Sequence, residues 1–536
     1  MNTSLVLSLA LLANVDMLIQ GGTVIDGTGA NGYVADVAIR NGKITAIGKL
    51  NDVRATSTVD GRGLVVCPGF IDLHSHADRG ILKHRVAENY IRQGVTTLVC
   101  GNCGGSPTDI GKYFEQLRDQ GTGPNIAQLI GHGSVRVSVM GRINAAPNHD
   151  QLTRMQQLVS QAMKDGAVGM STSLRYGAGT YADTSEIVAL AKEIKPFGGF
   201  YATHMRDEGT RILEAVEEAL LIGDQAKIPV HISHHKISSV SVFGLTRQTL
   251  ARIDAARKAG RDVSLDQYPY AAGSGGMDLY VPQWSLSGGI EEFKKRYADP
   301  KNKQRILEGV QDLLLRKIYR KDDKPQNATQ TSQAFHRIRV ARSAHDESLE
   351  GKTLTTIMTE RGQPVTLDNG SRLLVDLIMK RTRGINHTLE EAPGGDVDRV
   401  MRHPWTSVAS DGSVFEFGAG NPHPRSYGCY PRVLGLYVRQ RQVLKLEEAI
   451  RKMTSLPAQR LAWKKRGVIQ VGAIADIVLF DAKTVTDNAT FTRPHQHSTG
   501  VRDVYVNGIA VLRNEKLTGK LPGRPVGLGK SNPRKN

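Results

Sequence analysis

The feature that most constrains the fold of this chain is a repeated alternation of short apolar segments with amphipathic stretches. Helix-like patterns such as 85–93, 150–165, 185–194 and 206–222 separate eight apolar segments that are typical of buried strands. The eight segments are residues 70–76, 95–99, 126–130, 167–171, 199–204, 228–234, 262–267 and 406–411. Alternation of strand and helix predicts a parallel sheet. Eight such units predict an α/β fold with a (β/α)8 TIM-like barrel, and an open doubly wound sheet is the alternative.

Two further regions lie outside this alternation, and a third interrupts it. With 536 residues the chain is longer than a single hydrophobic core normally serves. Residues 16–63 and 465–525 alternate apolar and polar positions between Gly-rich turns, so they predict one small β-sandwich domain built from both ends of the chain. The barrel domain is then expected at 64–464, with a helical insertion at 275–400 between its strands 7 and 8.

The chain ends and the cysteines give only a coarse indication of the compartment. Residues 1–15 form a leader or arm whose apolar segment favours export to the periplasm, but it lacks a basic start and a clean cleavage site, so a cytoplasmic location stays open. The segment is too short to cross a bilayer, and no integral membrane segment is expected. Residues 526–536 form a basic tail. Four cysteines are too few for a disulfide framework at this length.

The formal net charge of +18 is unusual for a soluble protein. It suggests nucleic-acid binding, but only 5% of the residues are aromatic, the basic residues are scattered, and no recognition motif accompanies them. The charge therefore favours attraction of an anionic small molecule over a nucleic-acid partner. The sequence does not indicate the oligomeric state.

Side chains that bind transition metals stand at the carboxyl ends of the predicted strands. His74 and His76 end strand 1, and because side chains at i and i+2 of a strand share a face, their imidazoles are expected side by side. Cys103 follows strand 2, and strands 5, 6 and 8 end in His204, His234 and Asp411. In a parallel barrel these ends meet at one rim, where active sites form. The sequence therefore predicts a metal centre with His, Cys and Asp ligands.

Eight short motifs occur in order along the chain. They are Pro68-Gly69-Phe70-Ile71-Asp72-Leu73-His74-Ser75-His76, Gly101-Asn102-Cys103-Gly104, Ala202-Thr203-His204-Met205-Arg206, Ile232-Ser233-His234, Asp266-Gln267-Tyr268-Pro269-Tyr270, Ser410-Asp411-Gly412, His423-Pro424-Arg425 and Ala475-Asp476-Ile477-Val478-Leu479. With these motifs the chain resembles the amidohydrolase superfamily, and most closely its N-acyl-D-amino-acid deacylases (D-aminoacylases). The resemblance extends over nearly the whole chain, from residue 16 to residue 525.

This resemblance implies a zinc-dependent hydrolase. The family's tightly held zinc would bind Cys103, His204 and His234, and a second, weaker metal position would be lined by His74, His76 and Asp411. Many relatives bridge two metals with a carboxylated lysine on a barrel strand. The end of strand 4 here, Ser171-Thr172-Ser173-Leu174-Arg175, has no lysine, and the thiolate of Cys103 is the natural substitute because it is a strong zinc ligand.

The resemblance also implies how the chemistry is divided among the residues. Zinc lowers the pKa of a bound water from about 15.7 to about 7. Asp411 would accept the proton of this water and later protonate the leaving amine, while Tyr176 would hydrogen-bond the oxyanion. The α-carboxylate of the substrate would be bound by Arg425, Lys236, Tyr268 and Ser274.

The expected reaction is hydrolysis of an N-acyl-D-amino acid, a linear amide, to a carboxylate and a free D-amino acid. The alternative is another amide hydrolase of the same branch, such as a D-dipeptidase or a hydrolase of cyclic amides or lactones. A catalytically inactive scaffold is disfavoured because all six predicted ligands are present. The preference for the D configuration comes from the resemblance alone, and the preferred side chain and acyl group are not indicated.

Overall fold

The structure, a computed structural model, describes residues 14–320, 322, 324–332 and 334–529. Most of the predicted leader at 1–15 and of the basic tail at 526–536 lies outside the described residues. The described end of the chain is attached to the barrel, because Val526 N donates to Ile126 O (2.8 Å) and Gly529 N donates to Leu461 O (3.0 Å). Within the described residues, no helix has both the length and the apolar composition that crossing a bilayer requires.

Strands from both ends of the chain form one continuous nine-stranded sheet. They are β1 (Asn14–Val24), β2 (Tyr33–Arg40), β3 (Lys43–Gly48), β4 (Arg54–Asp60), β5 (Val65–Pro68), β18 (Ile477–Phe480), β19 (Val501–Val506), β20 (Ile509–Arg513) and β21 (Lys516–Leu517). The two ends meet where β5 pairs antiparallel with β18. Apolar side chains from both, including Ile19, Val37, Ile477 and Leu479, pack in one cluster.

The middle of the chain forms a closed ring of parallel strands. They are β6 (Phe70–Asp72), β7 (Val95–Cys100), β8 (Asn125–Gln128), β9 (Ile130–Gly131), β10 (Gly169–Ser173), β11 (Phe200–His204), β12 (Val230–Ile232), β13 (Val263–Gln267) and β17 (Thr406–Val408). β8 and β9 share the third position of the ring, and each of the eight predicted segments overlaps a strand. The ring closes beyond β17 and β6, where Asp411 N donates to His74 O and His76 N donates to Gly412 O, both at 2.7 Å. This closure distinguishes the fold from the open sheet that was the alternative.

Helices cover the outside of the ring and follow most of its strands. Outside the insertion they are α1 (Glu88–Ile91), α2 (Ile110–Gln120), α3 (His132–Met140), α4 (His149–Lys164), α5 (Thr184–Lys192), α6 (Ile212–Ala226), α7 (Thr246–Lys258), α12 (Asp396–Arg402), α13 (Arg425–Arg432), α14 (Leu446–Met453) and α15 (Ser455–Arg460). Local sequence sets their bounds. α4 begins after a capping box, in which the Asn148 side chain accepts from Gln151 N and the Gln151 side chain accepts from Asn148 N, both at 2.9 Å.

The insertion between β13 and β17 contains both helices and a small sheet. Its α-helices are α8 (Ile290–Ala298), α9 (Pro300–Lys317), α10 (Leu354–Glu360) and α11 (Leu367–Met379), and its strands are β14 (Gly273–Gly276), β15 (Ile338–Arg342) and β16 (Arg383–Asn386). The three strands pair antiparallel in the order β14-β16-β15. The insertion predicted at 275–400 as helical thus contains helices, and it also contains a small sheet that was not predicted from the sequence. The Gly-rich sequence of β14 shows no alternation, so its strand depends on pairing with β16. An apolar cluster that includes Phe293, Val310 and Leu374 gives the insertion its own core.

Candidate metal centre

All six predicted ligands lie at the carboxyl end of the ring. His204 is the last residue of β11, and the other five lie two to four residues beyond the ends of strands β6, β7, β12 and β17. The first strand ends at Asp72, not at His76 as predicted. The chain beyond it still follows its neighbours, because Ser75 N donates to Val99 O at 3.0 Å and Ser75 bridges Gly412 in parallel. His74 and His76 are consequently held at the rim, with their ring centroids 5.5 Å apart.

The thiol of Cys103 is surrounded by imidazole nitrogens. Its Sγ lies 3.3 Å from His74 Nε2, 3.4 Å from His234 Nε2 and 3.9 Å from His204 Nδ1. The nitrogens of His204 and His234 that face the sulfur are themselves only 2.8 Å apart. Cys103, His204 and His234 thus bring one sulfur and two nitrogens within 4.8 Å of one another in a buried position. The predicted principal ligand set is together in space.

The second predicted set lies directly beside the first. Asp411 Oδ1 is 3.1 Å from His76 Nε2 and 3.5 Å from His74 Nε2. His74 belongs to both sets, since its Nε2 also contacts Cys103, and His74, His234 and Asp411 form a further group of close donor atoms. The six side chains therefore form one continuous cluster.

These side chains fit a divalent transition metal. A thiolate with two imidazoles matches the ligand types of catalytic zinc sites, in which a fourth position stays open. The Nε2 atoms of His74 and His76 face the cluster, whereas their Nδ1 atoms have no hydrogen-bond partner among the described residues. His74 Nδ1 nonetheless faces Asp266 Oδ2 at 3.4 Å, as expected for a carboxylate that orients a ligand imidazole.

Three members of the cluster adopt strained backbone conformations. Cys103 has φ 52°, His234 has φ 35° and Asp411 has φ 49°. Non-glycine residues rarely adopt positive φ, and such strain concentrates at functional sites where the surrounding structure enforces it. In each case the left-handed residue lies two or three positions beyond the end of a barrel strand, at the carboxyl end of the ring.

The charges of the cluster favour ionised ligands. Burial opposes ionisation of the Cys103 thiol, but the neighbouring His74 and His234 imidazoles hold its pKa well below the usual range. Burial likewise opposes ionisation of Asp411, but Arg425 and His74 hold its pKa well below the usual range. The site therefore presents a thiolate and a carboxylate to a cation.

Three carboxylates with no predicted role support the ligands. Asp72 Oδ1 accepts from His74 N (3.1 Å) and from Ser410 N (3.0 Å), which connects the loops that carry His74 and Asp411. Asp266 Oδ1 accepts from His234 N at 2.7 Å. Glu208 Oε1 lies 3.0 Å from His234 Nδ1, and its Oε2 lies 3.5 Å from His204 Nε2. A carboxylate four residues after a predicted ligand, as Glu208 is, was the signal in the sequence that could have revealed this role.

The residues predicted to bind the substrate line a cavity of about 430 Å³ that four of the six ligands, His76, His204, His234 and Asp411, also line. Arg425 Nη1 lies 2.9 Å from Asp411 Oδ2, and its guanidinium lies 4.6 Å from the centroid of the Tyr268 ring. The hydroxyl of Tyr268 is buried and has no hydrogen-bond partner among the described residues. Ser274 lies on β14 opposite Ile385, and its side chain also borders the cavity.

Two other predicted residues are already in contact with the metal cluster. The Lys236 ammonium donates to Glu208 Oε1 at 2.5 Å and to His234 O at 3.0 Å, so its charge is neutralised in this structure. The Tyr176 ring lies edge-on to His204, with centroids 4.8 Å apart, and borders the cavity. Burial raises the pKa of Tyr176 well above its usual range, and Cys103 and Asp411 act in the same direction, which keeps the phenol protonated as a donor.

Comparison with known families agrees with this geometry. The model of the amidohydrolase family matches residues 57–279 and 362–512. The chain belongs to this family. A D-aminoacylase of Alcaligenes xylosoxydans xylosoxydans is 35% identical to this amidohydrolase over 532 residues, covering 95% of this chain and 97% of that protein. The N-acyl-D-glutamate deacylase of the same organism is 33% identical over 520 residues, covering 93% of this chain and 94% of that protein.

A solved relative adds a metal and an inhibitor to the comparison. The crystal structure of the N-acyl-D-glutamate deacylase from Bordetella bronchiseptica, complexed with zinc and a phosphonate that mimics the tetrahedral intermediate, superimposes with a TM-score of 0.79. It is 31% identical, and the match covers 96% of this chain and 99% of that one. This amidohydrolase therefore has the TIM-barrel fold with an additional domain and lies among the N-acyl-D-amino-acid deacylases. The stretch that the family model leaves unmatched, 280–361, falls within the insertion.

Proposed function

We propose that this protein is a zinc-dependent amidohydrolase that hydrolyses N-acyl-D-amino acids to a carboxylate and a free D-amino acid. The observation that carries the proposal is the Cys103 sulfur, which lies within 3.9 Å of imidazole nitrogens of three histidines, directly beside Asp411 and Arg425. The membership in the deacylase branch supports the substrate class. The same proposal divides the chain into a β domain formed by 16–63 and 465–525, a barrel domain at 64–464, and an insertion within the barrel at 275–400.

In this proposal Cys103, His204 and His234 hold the principal metal, and His74, His76 and Asp411 line a second, weaker position. A bound zinc supplies a Lewis acid, which polarises the scissile carbonyl and makes water acidic enough to lose a proton near neutral pH. Glu208 and Asp266 orient His204, His234 and His74, since each carboxylate faces a ligand ring or its backbone.

Asp411 moves the proton. Its low pKa leaves it ionised at neutral pH, so Oδ1 accepts a proton from the attacking water. The protonated carboxyl then donates this proton to the nitrogen of the breaking amide bond, and the amine leaves neutral. Tyr176, whose phenol stays protonated, donates a hydrogen bond to the carbonyl oxygen as negative charge develops there.

The α-carboxylate of the substrate pairs with Arg425. The guanidinium is buried, lies 4.6 Å from the centroid of the Tyr268 ring, and its Nη1 has no hydrogen-bond partner among the described residues, so it is available to a carboxylate. The unpartnered Tyr268 hydroxyl and Ser274 on β14 supply further donors. The Lys236 ammonium lies 5.8 Å from the centroid of the Tyr268 ring and adds positive charge near this site.

A substrate panel tests the proposal. N-acetyl-D-methionine, N-acetyl-L-methionine and a D-dipeptide are incubated with zinc-loaded protein, with protein stripped by a chelator, and with the Asp411→Asn variant. We expect hydrolysis of the D substrate only, loss on stripping, recovery with zinc, and loss in the variant. Full activity of stripped protein would contradict the metal centre. Faster cleavage of the dipeptide would instead favour a D-dipeptidase of the same branch.

A further inference from the structure

The walls of the active-site cavity carry far more positive than negative charge. Eight lysine and arginine side chains border it, but only three aspartates and glutamates do. All three acids already have cationic partners: Glu208 contacts Lys236 at 2.5 Å, Asp411 contacts Arg425 at 2.9 Å, and Asp207 lies 3.8 Å from Arg175. Arg316 is also paired, with Asp312 outside the cavity lining. Among the described residues, the wall cations that form no ion pair are Arg79, Lys317, Arg342 and Arg383.

Lys317 is the best positioned of these remaining cations. It ends α9, and the hydroxyls of Ser239 and Ser241 both donate to Arg316 O at 2.9 Å, which fixes the end of this helix to the loop after β12. The ammonium lies 5.5 Å from the centroid of the buried Tyr280 ring and, among the described residues, has no ion-pair or hydrogen-bond acceptor. Burial lowers the pKa of Lys317 to about 7, as does the nearby Arg175, so a ligand anion would stabilise its charged form.

A second cation comes from the small sheet of the insertion. Arg383 on β16 stands directly opposite Arg342 on β15, and both side chains border the cavity. Like charges at opposite positions of an antiparallel pair destabilise it, and although both side chains are exposed to solvent, an anion bound between them would relieve their repulsion. No carboxylate of the described residues forms an ion pair with either arginine.

We propose that this enzyme selects dianionic substrates, namely N-acyl-D-amino acids with a second carboxylate that Lys317 and Arg383 bind. The inference rests on the proposed function and specifies its substrate class. The second carboxylate could belong to the amino-acid side chain or to the acyl group, because both extend from the scissile amide into the same cavity. Lys317 and Arg383 both belong to the insertion; Lys317 lies in the stretch that the family model leaves unmatched, whereas Arg383 lies in the matched part.

Paired substrates with one charge removed test the inference. N-acetyl-D-aspartate and N-acetyl-D-glutamate are compared with N-acetyl-D-asparagine and N-acetyl-D-glutamine for the side chain, and N-succinyl-D-leucine with N-succinamoyl-D-leucine for the acyl group. We expect the dianion to exceed its neutral counterpart at least tenfold in kcat/KM in one series. Lys317→Met and Arg383→Met should each reduce that ratio about 10- to 100-fold, the range for a charge-assisted hydrogen bond, while kcat/KM for the neutral partner changes little.

Two further variants separate charge from folding. Lys317→Arg keeps the charge and should keep the preference, whereas Lys301→Met removes an exposed lysine from the same helix and should change nothing. Hydrolysis of N-acyl-D-amino acids with neutral substrates preferred in both series, or an unchanged preference in both methionine variants, would overturn the inference and leave the proposed function intact. Absence of hydrolysis throughout the panel, N-acetyl-D-methionine included, would overturn both.

Discussion

Replacement of Glu208 with glutamine tests whether the metal ligands depend on the carboxylate behind them. One oxygen of Glu208 contacts both Lys236 Nζ (2.5 Å) and His234 Nδ1 (3.0 Å), and the other faces His204 Nε2 at 3.5 Å. A glutamine of the same size presents one weaker acceptor, its carbonyl oxygen, and an NH2 group that cannot accept from a ring N–H. The Lys236 ammonium, which already lies 2.8 Å from His234 Nδ1, would then compete for that nitrogen.

The size of the effect follows from these contacts. Loss of a group that orients a metal ligand typically weakens metal binding 10- to 100-fold. Because Glu208 faces two of the three principal ligands, we expect the upper end, an increase of about 100-fold in the Kd for zinc, or about 2.7 kcal/mol. Removal of the competing ammonium should recover part of this loss. The double variant Glu208→Gln/Lys236→Met should therefore bind zinc more tightly than Glu208→Gln alone, with a coupling of about 0.5–3 kcal/mol.

Competition with a chromophoric chelator measures these affinities on metal-free protein, and circular dichroism verifies that each variant is folded. Glu214→Gln is the matched control, since Glu214 is exposed near the start of α6 and forms only a loose pair with Arg211 at 3.9 Å. Wild-type zinc affinity in folded Glu208→Gln would refute the reasoning, because the carboxylate would then be only a counter-ion for Lys236. Equal affinities of the single and double variants would refute the competition between Lys236 and the metal ligands.

Three further outcomes follow from the structure. Cys103→Ala should lose bound zinc and more than about 99% of activity, measured by metal analysis after gel filtration, because the thiolate is a principal ligand, whereas Cys100→Ala, equally buried but outside the cluster, should keep both. Arg425→Met should lower kcat/KM about 100-fold or more for N-acyl-D-amino acids, chiefly through KM, and far less for the corresponding amino-acid amides; an equal loss on both would exclude carboxylate binding. Burial lowers the pKa of His387 to about 4, below the unfolded value of about 6.5, so between these pH values the unfolded state binds more protons and stability falls on acidification. His387→Gln should therefore lose less Tm than wild type between pH 7.5 and pH 5, and an equal loss would contradict this assignment, while His345→Gln serves as the control.

The positions of the six ligands could be predicted from the sequence because the carboxyl ends of all parallel strands of a barrel lie at the same rim. A polar residue directly after a buried parallel strand must emerge at the carboxyl end of the ring, whatever its loop does next. The prediction that the strand reaches His76 was wrong, yet the imidazoles are still at the rim, since the loop beyond Asp72 stays hydrogen-bonded to both neighbouring strand ends. The position of the imidazoles therefore depends on the hydrogen-bond register between neighbouring strands, and not on the residue at which the regular strand ends.

The supporting carboxylates and the sheet of the insertion could not be predicted in the same way. Glu208 lies in the loop after β11, and its carboxylate contacts His204 at the end of that strand together with His234 and Lys236 of the loop after β12, so its role depends on two segments meeting in space. β14 reads Gly273-Ser274-Gly275-Gly276, with no apolar pattern, and is a strand only because β16 supplies its hydrogen-bond partners. Long-range pairing of this kind leaves no periodic signal in a local window of sequence.

The residues that would bind the metal and the residues proposed to select the substrate come from different parts of the chain. All six candidate ligands and the carboxylates that orient them come from the barrel, whereas Arg316, Lys317, Arg342 and Arg383 come from the insertion. The insertion has its own apolar core and is fixed to the barrel at the end of α9, so its cations can change without disturbance of the metal ligands. Variants of Lys317 or Arg383 should therefore alter the ratio of kcat/KM between substrates while zinc affinity stays constant. Variants of Glu208 should do the reverse, lowering zinc affinity with little effect on that ratio at saturating metal.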